Sequence, residues 1–208
     1  MPENLAPALA GLGLGIALAG APGPVQAVLL AESIGGGTRR GLQAMAGANL
    51  TFGVLLLALV FGLSVTTPSE LAIRILKLVG GGLLVLLGVD GLRSWEAPLV
   101  PRTDRRSVPA VAKGALAVLL NPGMWIFLAT VASSLVTSAT RDGGTPSAVL
   151  AVLGLLLGVA LGDATVVVFG GTGIRKMTNP ALGHWIHRGL ALVLVALGIG
   201  LILSAFVG

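Results

Sequence analysis

One acidic residue lies deep inside an apolar stretch in the second half of the sequence. Asp163 is flanked by Leu161, Gly162, Ala164 and Thr165. An ionised group near the centre of a bilayer costs roughly 2.5–3.5 kcal/mol on insertion scales, and such groups usually face an aqueous cavity or a partner. Asp163 is therefore a candidate proton carrier. The alternative is a structural Asp that is hydrogen-bonded to a neighbouring helix.

Two proline-containing stretches interrupt apolar runs, one in the first half of the sequence and one at a corresponding place in the second half. Residues 20–24 read GAPGP and residues 121–123 read NPG. A proline removes one backbone N–H and frees the carbonyl four residues earlier. Helix ends exposed in this way bind the carboxylate or ammonium group of a small zwitterion. The pattern predicts a binding site at the two breaks, with Gln26 and Asn121 adding neutral donors and acceptors. The alternative is a pair of kinks that serve only packing.

The unusual residues fall at one depth. With a rise of about 1.5 Å per residue, each of four features lies about 12 Å from the predicted cytoplasmic end of its apolar run. These features are Asn49, Asp163 and the two breaks. Asn49 has a second interpretation as a helix–helix hydrogen bond. The candidate substrate- or proton-binding residues are Pro22, Gly23, Pro24, Gln26, Asn49, Asn121, Pro122 and Asp163.

The composition predicts the bilayer as the solvent of this chain. The 208 residues are 55% hydrophobic and only 10% charged, and the mean hydropathy is +0.99, whereas soluble domains carry about 25% charged residues. Backbone groups in lipid must be satisfied within a segment, which favours helices. We predict an all-α integral membrane protein with six transmembrane helices, at about Leu5–Ala31, Gly41–Val65, Leu71–Leu92, Val111–Val136, Ser147–Gly171 and His184–Phe206.

The distribution of basic residues predicts the topology. Ten of the 13 Lys and Arg lie in alternate gaps, which places both termini on the extracytoplasmic side. We expect one membrane domain over 1–208, with a three-helix repeat at 1–92, a cytoplasmic linker at 93–110 and a second repeat at 111–208. Because three is odd, the two three-helix repeats must be inverted.

Several other functions find little support in the sequence. The net charge of +5 is not gathered into a basic face, so we expect no nucleic-acid partner. His184 and His187 are spaced as metal ligands, but they fit an interfacial anchor better, and we expect no metal and no cofactor. Ser133 and Ser134 have no base at their depth, so the chain is not expected to be an enzyme.

The motifs resemble those of the LysE/RhtB family of amino-acid exporters. The similarity rests on residues 21–24 (APGP), residues 36–42 (GGTRRGL) and Gly47, and in the second half on residues 113–114 (KG) and 119–122 (LLNP). The resemblance implies secondary export of amino acids or related small metabolites, driven by the proton motive force. The chain carries Asn49 where an acidic residue is common in that family, which favours neutral substrates.

Two classes of function follow from these observations. The first is a multi-pass exporter of the bacterial inner membrane that works by alternating access about a midplane site. Its expected partners are a small-molecule substrate, the lipid bilayer and protons as the coupling ion, and a homodimer is one assembly that we consider. The second is a passive channel or a structural membrane subunit, in which Asp163 and the prolines only kink and pack.

Overall fold

The computed structural model describes residues 5–21, 23–62, 69–93, 108–174 and 180–206, and this part of the chain is helical throughout without a strand. The prediction of an all-α fold is confirmed. The described residues form six continuous helical segments, the fifth of which contains π-helical turns at Leu128–Ala132 and Phe169–Ile174. The α-helices are α1 (Leu5–Gly20), α2 (Pro24–Val60), α3 (Glu70–Arg93), α4 (Ala110–Leu119), α5 (Pro122–Phe127), α6 (Ser133–Val168) and α7 (Pro180–Ser204).

Two glycine-containing kinks replace the loops that the sequence suggested between neighbouring spans. In α2 the backbone leaves helical geometry at Gly37, where φ is 79°. In α6 it does so at Gly143 and Gly144, and Gly144 has a φ of 68°. Because glycine has no Cβ, it adopts these left-handed angles without a steric penalty. The first and second predicted spans are therefore joined by a kink, as are the fourth and fifth.

The length and composition of the helices suit a membrane protein. Pro24–Val60 and the continuous segment Pro122–Thr172 are each long and apolar enough to cross a bilayer, and shorter apolar helices lie at Leu5–Gly20, Ala110–Leu119 and Ala191–Ser204. Large apolar side chains such as Leu50, Leu86 and Phe169 are exposed on the outer faces, which fits contact with lipid. The exact number of spans and the inverted arrangement stay predictions.

The helices pack in three main pairs, α1 with α6, α4 with α2, and α3 with α7. Glycines bring all three pairs into backbone contact, and the first two pairs show it most clearly. A Cβ at Gly15 of α1 would overlap the Leu155 carbonyl of α6, and a Cβ at Gly114 of α4 would overlap the Ala44 carbonyl of α2. Small residues at such crossings let helix backbones approach closely in a membrane. The short first helix of each half is thereby fixed against a long helix of the other half.

Candidate functional site

The first helix break separates α1 from α2. Helix α1 ends at Gly20, and Gly23 is the N-terminal cap of α2 with an extended backbone (φ −164°, ψ −178°). Pro24 is the first residue of α2. A backbone N–H at this position would have no acceptor within the helix, so proline is tolerated there. The Nε2 of Gln26 donates to the carbonyl of Ala19 at 2.8 Å, so a carbonyl left free at the end of α1 is satisfied by a side chain of α2.

The second helix break has the same design. Helix α4 ends at Leu119 and α5 begins at Pro122, which is buried. The Oδ1 of Asn121 accepts from the backbone N–H of Gly123 at 3.0 Å, which caps α5. The indole Nε1 of Trp125 donates to the Leu119 carbonyl at 2.8 Å. At both breaks, a side chain in the first turns of the new helix satisfies a carbonyl at the end of the old one.

The two breaks border a single cavity of about 280 Å³. Its walls come from the ends of α1 and α4, the starts of α2 and α5, and the middle of α2 and α6. The lining residues are Leu18, Ala19, Ala21, Gly23, Pro24, Val25, Gln26, Ala48, Asn49, Phe52, Val118, Asn121, Gly123, Met124, Val159 and Asp163.

Most of the residues selected from the sequence meet at this cavity. Gly23, Pro24, Gln26, Asn49, Asn121 and Asp163 all line it. Pro122 is buried at the second break but is not part of the lining. Pro22 lies outside the described residues. The structure therefore gathers six of the eight candidates around one space, and their role in binding stays a prediction.

Asp163 is the most enclosed polar residue of the cavity, with 1% of its surface exposed. Its Oδ1 accepts a hydrogen bond from Gln26 Nε2 at 3.0 Å. Its Oδ2 and the Nδ2 of Asn49 are buried and have no hydrogen-bond partner in the described structure. A buried polar atom without a partner is costly, and exceptions in native proteins need an explanation. One acceptor and one donor at the cavity thus lack a hydrogen bond of good geometry, and they belong to two neighbouring side chains, Asp163 and Asn49.

The remaining walls are apolar. Phe52 of α2 and Val159 of α6 lie beside the polar residues, and Val118 and Met124 contribute from the second break. The site therefore combines a few fixed polar groups with an apolar surround, which is the usual composition of a small-molecule pocket. The described residues contain no group of three or more His, Cys, Asp or Glu that is able to hold a metal ion.

The comparison with protein families identifies the class of the molecule. A sequence model of the LysE type translocator family matches residues 16–205. The chain belongs to the LysE type translocator family. The match includes both helix breaks and every residue of the cavity lining. Comparisons with curated proteins and with solved structures gave no match.

Membership in this family supports the coarser predictions from the sequence. A LysE type translocator is a membrane transport protein, and the family is a transporter family rather than an enzyme family. The apolar, outward-facing helix surfaces agree with a place in a membrane. The expected LysE family resemblance is confirmed.

Sequence reasoning missed a buried ion pair in this translocator. Lys113 of α4 donates to Glu32 of α2 at 2.7 Å, and both residues are buried. From the sequence, Lys113 is part of the motif at residues 113–114, and Glu32 lies just beyond the first predicted span, which ends at Ala31. The available signal was an acidic residue within the apolar run at residues 25–34. His184 and His187 belong to the part of α7 whose side chains are not described.

Proposed function

We propose that this LysE type translocator exports amino acids or related small metabolites across the bacterial inner membrane, driven by the proton motive force. The observation that carries the proposal is the cavity at the two helix breaks, which holds one buried carboxyl group with a free oxygen. A buried, unpaired carboxyl oxygen is stable when it binds a proton or accepts a hydrogen bond from a ligand. Asp163 is suited to alternate between these two states.

The free polar atoms support a small zwitterion as the substrate. Asp163 Oδ2 is an acceptor for an ammonium group, and Asn49 Nδ2 is a donor for a carboxylate. The cavity of about 280 Å³ is slightly smaller than the usual range of small-molecule pockets, about 300–1,000 Å³, which suits a small substrate. Phe52 and Met124 offer an apolar wall to the side chain of an uncharged amino acid.

The packing of the helices supports two inverted three-helix repeats as the basis of alternating access. Each half begins with a helix interrupted by a proline-containing break, continues through a glycine kink and ends with one further helix. The contacts are reciprocal, since α1 of the first half packs on α6 and α4 of the second half packs on α2. Rocking of one repeat against the other about a central site is the usual mechanism of such folds.

The orientation in the membrane belongs to the same proposal. The excess of Lys and Arg places the kink next to Arg39 and Arg40 in the cytoplasm and both termini outside it. Protons are then the coupling ion that enters from the extracytoplasmic side, and Asp163 is the group that receives them. The bilayer is the surrounding medium, and a homodimer is an assembly compatible with the exposed apolar faces.

A flux measurement with a matched pair of variants tests the proton role. The protein is reconstituted into liposomes with an imposed pH gradient, and uphill movement of the amino acid is recorded. We expect Asp163→Asn to abolish uphill flux. Asp142→Asn removes the same group from an exposed position and should leave the flux unchanged. Unaltered uphill flux in Asp163→Asn would overturn the proton role, and passive flux in the wild type would indicate a channel.

The substrate is to be identified first. Cells that overexpress the protein are compared with cells that overexpress Asp163→Asn, and the external medium is screened for metabolites. We expect one or a few amino acids to accumulate outside only with the wild-type protein. Equal profiles for the two strains would count against export through this cavity.

A further inference from the structure

Three charged side chains form a cluster at the kink of α2. Glu32 accepts from Lys113 Nζ through Oε1 at 2.7 Å and from Arg40 Nε through Oε2 at 3.0 Å. Glu32 is 9% exposed and Lys113 is 7% exposed, whereas 44% of the Arg40 side chain is exposed. We call Glu32, Arg40 and Lys113 the charged gate. Two of its three charges are withdrawn from solvent.

The charged gate joins parts of the fold that belong to different halves. Glu32 lies on the N-terminal arm of α2, before Gly37, and Arg40 lies after it. Lys113 comes from α4, the first helix of the second half. One carboxylate therefore bridges the kink within the first half and the contact between the two halves.

The gate lies on one side of the cavity. Glu32 is six residues beyond the cavity residue Gln26 on α2, or about 9 Å along the helix. Lys113 is five residues before the cavity residue Val118 on α4, or about 7.5 Å. Along the two helices, Val28 and Ala117 come between the cavity residues and the ion pair, and both are buried in one apolar cluster. An apolar layer followed by a charge pair thus closes this path.

The opposite side of the cavity is closed differently. There the apolar cluster continues from Phe52 to residues such as Leu56, Leu128 and Leu155, none of which is exposed. Apolar packing of this kind has no strong directional preference. The ion pair on the first side is directional, because its two charged groups must meet in one geometry.

We infer that the charged gate closes the cavity on the side of Arg39 and Arg40, and that its buried pair, Glu32 and Lys113, must separate each time the cavity opens to that side. The inference rests on the proposed alternating access. A buried ion pair suits this task, because an isolated buried charge is strongly unfavourable, whereas separated charges are stable once water enters. The pair therefore favours two states, fully closed or fully hydrated.

The absence of Cys from the chain makes a direct test straightforward. Ala117, 3% exposed and placed between cavity and gate, is replaced by Cys as a reporter. Ala132, buried on the opposite side, is replaced by Cys in a second protein. Labelling by a membrane-impermeant maleimide is measured in inside-out and right-side-out vesicles. We expect Lys113→Met to speed labelling of Ala117→Cys by at least about tenfold, from the Arg39 side only.

Matched variants separate a gate from a general loss of packing. Lys113→Arg keeps the charge pair and should label as the wild type does. Arg39→Gln removes a charge from an exposed neighbour of the gate and should have no effect. If Lys113→Met does not insert, the double variant Glu32→Gln/Lys113→Met removes both buried charges, and the charge that loses its partner is that of the partly exposed Arg40. We expect the same faster labelling in the double variant.

The outcomes distinguish this inference from the proposed function. Unchanged labelling of Ala117→Cys in the gate variants would overturn the gate, as would equal acceleration of the Ala117→Cys and Ala132→Cys reporters. Uphill transport that survives alongside such a result would leave the proposed function standing. Faster one-sided labelling in a protein that moves no amino acid would support the gate and refute the amino-acid export.

Discussion

Gln26 provides the sharpest test of how the cavity is organised, because one side-chain nitrogen serves two partners. Its Nε2 donates to the Ala19 carbonyl at 2.8 Å and to Asp163 Oδ1 at 3.0 Å. Gln26→Leu keeps a side chain of similar size and removes both hydrogen bonds. Asp163 would then lose its hydrogen bond from Gln26, and the end of α1 would lose its link to α2.

The size of the effect follows from the two bonds. Interhelical hydrogen bonds of side chains in membrane proteins average about 0.6 kcal/mol, which is a fair value for the bond to Ala19. A hydrogen bond to a charged group contributes about 1.5–3 kcal/mol, which applies to the bond to Asp163. With a factor of ten for about each 1.36 kcal/mol, loss of the Asp163 bond should slow gradient-driven transport by about tenfold to a hundredfold.

A double-variant comparison isolates the Asp163 contribution. Exchange of labelled for unlabelled substrate across liposomes needs no proton gradient, and Asp163→Asn keeps a side-chain oxygen that accepts from the substrate ammonium group, so exchange is measurable in this variant. In that background Gln26→Leu should lower exchange by only about threefold, the share of the Ala19 bond. Gln43→Leu makes the same substitution at an exposed site of α2 and should change nothing.

Two results would refute this reasoning. The first is gradient-driven transport by Gln26→Leu within about threefold of the wild-type rate. The second is an equal loss of exchange from Gln26→Leu with and without Asp163→Asn, since independent sites give additive effects. Either result would mean that Gln26 does not position the carboxyl group for transport.

Three further substitutions test the elements that build the site, each by the melting temperature of the purified protein. Gly15→Ala places a methyl group against the Leu155 carbonyl and should lower the free energy of unfolding by about 1–3 kcal/mol. Its control is Gly13→Ala, which meets no atom within 4 Å and should leave the free energy of unfolding unchanged or raise it. Gly37→Ala must adopt a φ of 79° with a ψ of 172°, a backbone region essentially restricted to glycine, and should lower the free energy of unfolding by about 1–3 kcal/mol. Asn121→Ala removes the cap of α5 at a cost of about 1 kcal/mol, and Asn121→Ser should retain most of the stability.

The helix breaks were predictable because their causes are local. Proline lacks an N–H and glycine lacks a Cβ, so residues 20–24 and 121–123 interrupt a helix in almost any surroundings. The all-helical fold was also predictable. The apolar composition indicates a lipid environment, and backbone groups in lipid must be hydrogen-bonded within their own segment. The common depth of Asn49 and Asp163 also follows from counting residues along straight helices.

The side-chain pairs were not predictable, because they depend on packing between distant parts of the chain. Lys113 meets Glu32 across 81 residues, and Gln26 meets Asp163 across 137. Each pair requires a particular crossing, of α4 on α2 in one case and of α2 on α6 in the other. The kink at Gly37 was hidden for a related reason. Polar residues on both sides resemble a loop until the left-handed glycine allows the helix to resume.

The two breaks differ in whether the side chain that caps the preceding helix also contacts an ionisable residue. At the second break, the Trp125 indole satisfies the Leu119 carbonyl and caps the end of α4 without involving an ionisable group. At the first break, the amide of Gln26 satisfies the Ala19 carbonyl and contacts Asp163 with the same nitrogen. A change in the hydrogen bonding of Asp163 therefore alters the Gln26 contact that joins α1 to α2. Because Glu32 of the charged gate lies on that same arm of α2, the cavity and the gate are connected through one short helical stretch, residues 24–36.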